Sequence, residues 1–362
     1  MKPQSSKKTV LFILPSLTAG GAERVMITLM NNIDRETFRP SFLSVSSEGP
    51  LGNIIADDIE KDSLNEKSVL RSALKLFKAI KHQKPDIVIS TMAHLNFVVL
   101  LLKPLFPKTK FIVREAITPD FILKKHALMA PFIRLAYKLL YSMADVVISP
   151  AQVIIDTFKD ELGMRCKNHI VLRNPVDTEK IKEALASAKH HQINDIKFIA
   201  AGRLHYQKGY DQLIEAIAKH HIKKDWHLDI LGEGEQRKEL EELIAQNNLQ
   251  ENVNLHGLID QPWRHYSEAD CFLLPSRFEG LPNVVLESLA CGTPVIAMNT
   301  AGGISEIQQI AEDGAVTIVD DIENFIHEMN EASRNEDKRS LLPKEFELQN
   351  IIEAFEDIIT QA

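Results

Sequence analysis

The sequence predicts an α/β protein made of two doubly wound parallel sheets. Three observations carry that expectation. Short apolar runs of strand length alternate with helical patterns along most of the chain. Glycine turns stand between several of these runs and the helix that follows. The 362 residues give two domains as the natural division.

Composition narrows the function classes. Hydrophobic residues make up 44% and charged residues 25%, ordinary for a soluble globular chain. A net charge of −8 argues against nucleic acid as the main partner. Cys166, Cys271 and Cys291 show no CxxC or Cys/His spacing, so free thiols in a reducing compartment are expected. The start MKPQSSKKTVLFILPSL sets basic residues before an apolar run. That run is short and leads into Gly-Gly rather than a cleavage site, so it reads as a first strand, not a signal peptide. No stretch reaches the roughly 18 apolar residues that span a bilayer, and a cytoplasmic location is expected.

In the N-terminal half, Thr9–Pro15 (TVLFILP) is the first strand. Gly20-Gly21 and then the helix VMITLMNNI follow it. A glycine pair between strand and helix lets backbone amides approach a phosphate. It lacks the G-x-G-x-x-G spacing of a dinucleotide site. Arg39–Ser44, Asp86–Ser90, Lys110–Arg114 and Asp145–Ser149 are further strands, and Ser68–Gln83 and Asn96–Leu105 are helices. Asp57-Asp58 falls in a helix-like run. Two strand exits open on the side where such sheets bind ligands. After the first comes His94, a candidate acceptor contact or proton acceptor, with a plain loop histidine as the alternative. After the second comes Glu115, a candidate acceptor contact, with pairing to Arg114 as the alternative. Residues 121–143 mix apolar residues with Lys124, Lys125, His126, Arg134 and Lys138. Two readings stay open there: a helix packed by one face and interrupted at Pro131, or a helix on an anionic membrane surface. His169–Asp177 (HIVLRNPVD) is a short strand ending in Asn-Pro, and the polar, Lys-rich residues that follow put the domain boundary near 175–195.

A second sheet begins at Ile196–Ala201. Gly202-Arg203-Leu204-His205-Tyr206-Gln207-Lys208-Gly209 then leads into the helix YDQLIEAIAKH. Two cations beside two glycines at a strand's carboxyl end suit a diphosphate, with Arg203 as a fork and Lys208 as a point charge. His227–Leu231 and Asn252–Leu258 are strands. The turn Gly232-Glu233-Gly234-Glu235 between them opens a charged helix and reads as structural, because a carboxylate would repel phosphate. Trp263 and Tyr266 are expected to pack a helix.

Residues 270–298, DCFLLPSRFEGLPNVVLESLACGTPVIAM, read as strand, loop, helix, turn, strand. Cys271–Leu274 and VIAM are continuous apolar runs, as in buried parallel strands. Val284–Ala290 is the helix, closed by Gly292. Glu279 in the loop and Glu287 in the helix can accept hydrogen bonds from sugar hydroxyls. Pro282 and the amides of Asn283, Val284 and Val285 offer an anion site at the helix start. One loop can thus hold both halves of a nucleotide sugar. A solvated loop Glu and a paired helix Glu are the bland alternative. Thr300–Glu306 is another glycine turn into a helix, and Phe346–Thr360 is an amphipathic helix.

FEGLPNVVLESLACGTPVIA resembles the E-x7-E segment of the family 4 retaining glycosyltransferases (glycosyl transferases group 1). GGAER after the first strand, NPVD, GRLxxxKG and the G-G-x-x-E-I turn at Gly302 are similar to further segments of that family. The resemblance implies the GT-B fold: two Rossmann-like domains facing a central cleft. The N-terminal one (1–177) is expected to bind acceptor and the C-terminal one (178–345) nucleotide sugar. The helix 346–362 is expected to cross back to the first domain. The resemblance further implies a hexosyltransferase. In the donor site, Arg203 and Lys208, helped by Gly20, Gly21 and the 281–284 segment (Leu281, Pro282, Asn283, Val284), would hold the diphosphate. Glu287 would hold the ribose and Glu279 the sugar. Glu279, Arg203 and Lys208 are the expected catalytic groups. The end of Asn252–Leu258 would meet the base through backbone groups. Where many members carry a His, this chain has Ala116, which removes a family-style contact to the donor sugar. No DxD-type metal motif stands at a suitable place, since Asp320-Asp321 lies elsewhere, so no cofactor and no metal are expected. The donor expected first is a UDP-hexose or UDP-N-acetylhexosamine, with GDP-mannose the alternative. The acceptor is a saccharide, lipid-linked in the reading that uses 121–143 at the inner face of the plasma membrane, for surface glycan biosynthesis. Three rivals remain. A non-catalytic nucleotide-sugar-binding partner is opposed by the intact charged set. An inverting enzyme on the same fold is opposed by E-x7-E, and a dehydrogenase by the missing dinucleotide fingerprint.

Overall fold

The computed structural model describes residues 7–18, 20–186 and 195–362. The chain divides into two compact units, residues 1–175 with 349–362, and residues 176–348.

In the first unit seven parallel strands are β1 Lys8–Leu14, β2 Phe38–Ser44, β3 Glu60–Ser63, β4 Ile87–Thr91, β5 Lys110–Arg114, β6 Val146–Ser149 and β7 His169–Val171, in the order β3-β2-β1-β4-β5-β6-β7. The central strands β1, β4 and β5 carry continuous apolar runs because helices cover both faces of such a sheet. Their side chains Leu11, Ile13, Val88 and Ile112 have almost no exposed surface. The strand β3 (EKDS) was not anticipated: it is an edge strand with three exposed residues, so it carries no apolar signal. Asp57-Asp58 sit in the turn before it, not in a helix. The expected strand His169–Asp177 stops at Val171.

Residues 121–143 form Pro119–Lys125, a 3-10 turn Ala127–Met129 and the helix Ala130–Leu140. The break precedes Pro131, which lies in the first turn of the new helix, where its missing N–H costs nothing. The C-terminal helix Leu348–Gln361 belongs to the first unit. Phe355 packs on Phe12 of β1 at 6.2 Å between centroids, Glu356 accepts from the Asp34 amide at 2.6 Å, and Lys8 donates to the Thr360 carbonyl.

The second unit holds six parallel strands: β8 Ile196–Ala201, β9 Trp226–Leu231, β10 Val253–Gly257, β11 Cys271–Leu274, β12 Val295–Met298 and β13 Val316–Val319, ordered β10-β9-β8-β11-β12-β13. The last strand and the helix Ile322–Glu331 were not read from sequence. Asp321 caps that helix by accepting from Asn324 N at 2.7 Å. Gly292, at φ +77°, closes the helix Asn283–Ala290 in the left-handed conformation its position demands. Tyr266 packs its helix edge-on against Phe272, and Cys271 and Cys291 are buried free thiols. The boundary region near 175–195 is not linker throughout. Thr178–Leu185 is a helix capped by Asp177, and residues 187–194 lie outside the described residues.

Each sheet has one place where strand order reverses: between β1 and β4, and between β8 and β11. In open α/β sheets the loops beyond the carboxyl ends of those strands splay apart and bind ligands. Gly20, Gly21 and His94 follow β1 and β4. Arg203, Lys208 and Glu279 follow β8 and β11. Topology alone therefore gathers Arg203, Lys208 and Glu279, which the sequence keeps up to 76 residues apart (279 minus 203).

Candidate functional site

Strand β8 ends at Ala201, and the chain turns at Gly202 with φ +154°. A Cβ there would stand 2.7 Å from Cε of Lys208, so a side chain at this position would push the lysine stem aside. Tyr206–Lys208 then form one 3-10 turn, capped by Nδ1 of His205 accepting from Gln207 N. Gly209 starts the helix Tyr210–Lys219 in the left-handed region, with its backbone pressed on the Pro275 carbonyl.

Two loops are thereby joined. Arg277 N donates to Gln207 O at 2.8 Å. The Arg277 guanidinium forks onto Asp211 at 2.7 and 2.8 Å and stacks on Tyr206 at 4.0 Å. Although burial opposes it, this pairing holds the Asp211 carboxyl below its usual range and raises Arg277. Lys208 reaches Glu279 Oε1 at 2.6 Å, both side chains largely buried. Ser276 Oγ donates to the same oxygen at 2.9 Å, and Gln207 Nε2 donates to Oε2 at 3.3 Å. Behind this pair the glycine turn after β12 supports the backbone: Gly303 N donates to Gly280 O at 2.7 Å, and Gly302 leaves no space for a Cβ against the Glu279 carbonyl. The hydroxyl of buried Tyr210 is pushed well up by burial and by the Glu279 charge.

The remaining candidates take distinct places. Arg203 is exposed and makes no hydrogen bond or ion pair among the described residues, so its fork stays available. Leu281 is buried, and Asn283, Val284 and Glu287 are half-buried. Glu287 lies one turn from Asn283 on the same helix face. Of the three amides expected free, Val285 N donates to the Pro282 carbonyl at 3.1 Å, because Pro282 opens the helix with a tight turn. The Gly232–Glu235 turn is structural: Gly232 and Gly234 pack against the carbonyls of Gly202 and Leu204, and Glu233 pairs with Arg237. Gln207, Ser276, Asp211 and Arg277 were not singled out in the sequence. Gln207 lay within GRLxxxKG, but nothing local marked it.

In the first unit Gly20 has no room for a Cβ, which would stand 2.2 Å from the Glu23 carboxylate. Gly21 and His94 are exposed at the heads of their helices. Glu115 differs from the expectation of an acceptor contact. It is buried, and its carboxylate accepts from Tyr141 and, at 3.4 Å, from Tyr137. Burial raises it to about 7, against the pull of the two hydroxyls and Arg114. Arg114 is also buried. It donates to Asn174 Oδ1 at 2.6 Å, and burial lowers it to about 10 despite Glu115 and Glu23. As placed, Glu115 is open to interior partners rather than to an acceptor.

Two doubly wound parallel sheets, each with one strand-order reversal, and cations beside a held carboxylate at one of them fit a glycosyltransferase of the GT-B fold. The chain belongs to that family. Residues 19–180 match the family described as Glycosyltransferase Family 4, and residues 181–346 match Glycosyl transferases group 1. It is 29% identical over 323 residues, 87% of each chain, to the N-acetylgalactosamine-N,N'-diacetylbacillosaminyl-diphospho-undecaprenol 4-alpha-N-acetylgalactosaminyltransferase of Campylobacter jejuni. It is 33% identical over 277 residues to an uncharacterized glycosyltransferase of Methanocaldococcus jannaschii, covering 69% of this chain and 67% of that one. Among solved structures, Anabaena HepE in complex with UDP-glucose shares the fold with a TM-score of 0.78 at 19% identity, covering 98% and 100% of the two chains.

Proposed function

We propose that the protein transfers a hexose or N-acetylhexosamine from a UDP-sugar to a lipid-linked saccharide, with retention of anomeric configuration and without a metal, in surface glycan assembly. The observation that carries this reading is the Lys208–Glu279 pair, with Arg203 free beside the same strand. Arg203 and Lys208 bind the diphosphate and neutralise the charge that grows as the glycosidic oxygen leaves, supported by backbone amides at the start of Asn283–Ala290. Lys208, already held by Glu279, provides this without reorganisation, and Arg203 folds onto the phosphate from the exposed end of the same strand. Glu279 holds the sugar, and Glu287 the ribose hydroxyls. The acceptor hydroxyl attacks the anomeric carbon on the face the diphosphate leaves. Its proton passes to the departing phosphate oxygen, so no covalent enzyme intermediate forms. The UDP-glucose bound to HepE supports the choice of base, and the Campylobacter relative's name supports a diphospho-undecaprenol acceptor.

Membrane contact fits one face of the first unit. Leu128, Phe132, Leu135 and Leu139 are all exposed, Leu128 at 95%. Phe132, Leu135 and Leu139 recur at helical spacing on Ala130–Leu140, so they form one apolar stripe, with Leu128 in the turn just before it and Lys124, Arg134 and Lys138 exposed nearby. Such a face suits an anionic bilayer surface. Among the described residues no helix is long and apolar enough to cross a membrane.

Thermal stabilisation by UDP-, GDP- and ADP-sugars in EDTA, on wild type and Arg203→Ala, tests the donor reading. A ligand at about 100 times its dissociation constant should add roughly 2.7 kcal/mol. Stabilisation by UDP-sugars that is lost in the variant is expected, whereas stabilisation only with a divalent metal overturns the metal-free reading. Sedimentation with phosphatidylglycerol vesicles, on wild type and Leu128→Ser/Phe132→Ser, tests the membrane face. Equal binding by both proteins, or by neither, removes it.

A further inference from the structure

The hydrogen bonds on Glu279 determine which of its atoms remains available to a ligand. A carboxylate offers about four acceptor positions, two on each oxygen. Oε1 already receives Lys208 Nζ at 2.6 Å and Ser276 Oγ at 2.9 Å. Oε2 receives Gln207 Nε2 at 3.3 Å. One position is left, on Oε2.

Gln207 is itself held through its backbone N–H, its carbonyl and its side-chain nitrogen. Its backbone N–H donates to His205 Nδ1 at 3.0 Å, and its carbonyl accepts from Arg277 N at 2.8 Å. Its side-chain nitrogen faces two acceptors, the Phe278 carbonyl at 3.0 Å and Glu279 Oε2. Two acceptors at one end identify that end as the NH2 group, with one hydrogen for each.

Resting on the donor reading above, we infer that Gln207 is a positioning residue for sugar recognition, and that Glu279 reads the donor sugar through a single hydrogen bond to Oε2. The group read is one hydroxyl or one amide N–H of the transferred sugar, not a pair of vicinal hydroxyls. Lys208 and Ser276 saturate Oε1, and the Gln207 amide takes one of the two positions on Oε2 and holds the carboxylate, so that the other is left for the sugar. The nucleoside diphosphate part of the donor does not use this atom. Gln207 therefore contributes to the preference for one sugar over its epimers and little to the nucleotide.

Calorimetric titration with UDP, UDP-glucose, UDP-galactose and their N-acetylhexosamine counterparts tests this on wild type, Gln207→Met and Gln207→Glu. Melting temperatures check that each variant folds. Gln207→Met keeps the side chain's length and removes both donors. Its affinity for UDP is expected to stay within about twofold. The ratio of best-sugar to UDP affinity should fall about tenfold, the loss of a hydrogen bond to a charged group, and the spread among epimers should narrow. Gln207→Glu, which sets a second carboxylate against the first, should lose more of the same ratio. Equal losses for UDP and its sugars, or no loss in either variant, overturn the inference. A wild type that binds UDP but gains nothing from the sugar overturns the inference alone. A wild type that binds no UDP, GDP or ADP compound overturns the donor reading and this inference together.

Discussion

At the reversal between β8 and β11, the second unit carries Arg203, Lys208 and Glu279 on loops that hydrogen-bond to one another. At the reversal between β1 and β4, the first unit offers Gly20, Gly21 and His94, while its nearby charges point inward: Glu23, Arg114 and Glu115 have 3%, 2% and 1% of their surface exposed. The same topology thus supports a site built from side-chain charge in one unit and a surface of backbone and small residues in the other. Buried charge in the first unit fixes loops from within, at a desolvation cost its partners must offset. Partly buried charge in the second remains usable by a ligand because each group keeps donor or acceptor capacity.

The comparison is broken most severely at Lys208. Lys208→Ala removes the cation from the leaving group and leaves Glu279 without its ammonium partner. Transfer should fall by about 100- to 1,000-fold, measured by steady-state release of nucleotide. Loss below about fivefold would mean that the charged pair is structural, like the charges of the first unit. Arg203→Ala comes next. Because Arg203 is exposed and unpaired among the described residues, nucleoside diphosphate affinity should drop about 10- to 100-fold with an unchanged melting temperature. Gly202→Ala tests the packing behind Lys208: its Cβ falls 2.7 Å from the lysine stem at a φ of +154°. Transfer should fall about tenfold, with a small loss of thermal stability.

The first unit responds to pH instead. Glu115 has an ordinary value of 4.5 and is raised to about 7 in the fold. A raised acid contributes its stability fully below about 4.5, and that contribution is lost as pH rises through about 7. Glu115→Gln keeps an acceptor for Tyr137 and Tyr141 without the charge. Relative to wild type, its melting temperature should gain a few degrees between about pH 5 and pH 8. A constant difference across that range would place the titrating group elsewhere. The smallest effect is expected for His94→Ala, a rise of about two- to fivefold in acceptor KM. A kcat loss beyond about 100-fold would instead make His94 the general base.

Much of the site was legible because its parts are local. A buried apolar run, a glycine turn and a helix start follow one another within 15 residues at both β8 and β11, and topology places both at the reversal. Gln207 was not legible, since its partner Glu279 lies 72 residues away and a neutral amide in a loop carries no signal. The inward turn of Glu115 was equally hidden. Tyr137 and Tyr141 are one helical turn apart and so share a face, but only packing of their helix against the sheet brings both hydroxyls to that carboxylate. The strand β3 escaped because an exposed edge needs no apolar pattern.

The sequence by itself determined the alternation of strands and helices, the glycines that close and open turns, and which charged residues leave the ends of buried strands. These depend on periods of two and 3.6 residues and on backbone sterics, which act within a few residues. The tertiary structure alone decided which of those charges stay near the surface and which are enclosed, because burial and hydrogen-bond partnership are set by elements tens of residues apart. That is why Lys208 and Glu279 meet at 2.6 Å, with one acceptor position left over, while Glu115 is enclosed by two tyrosines.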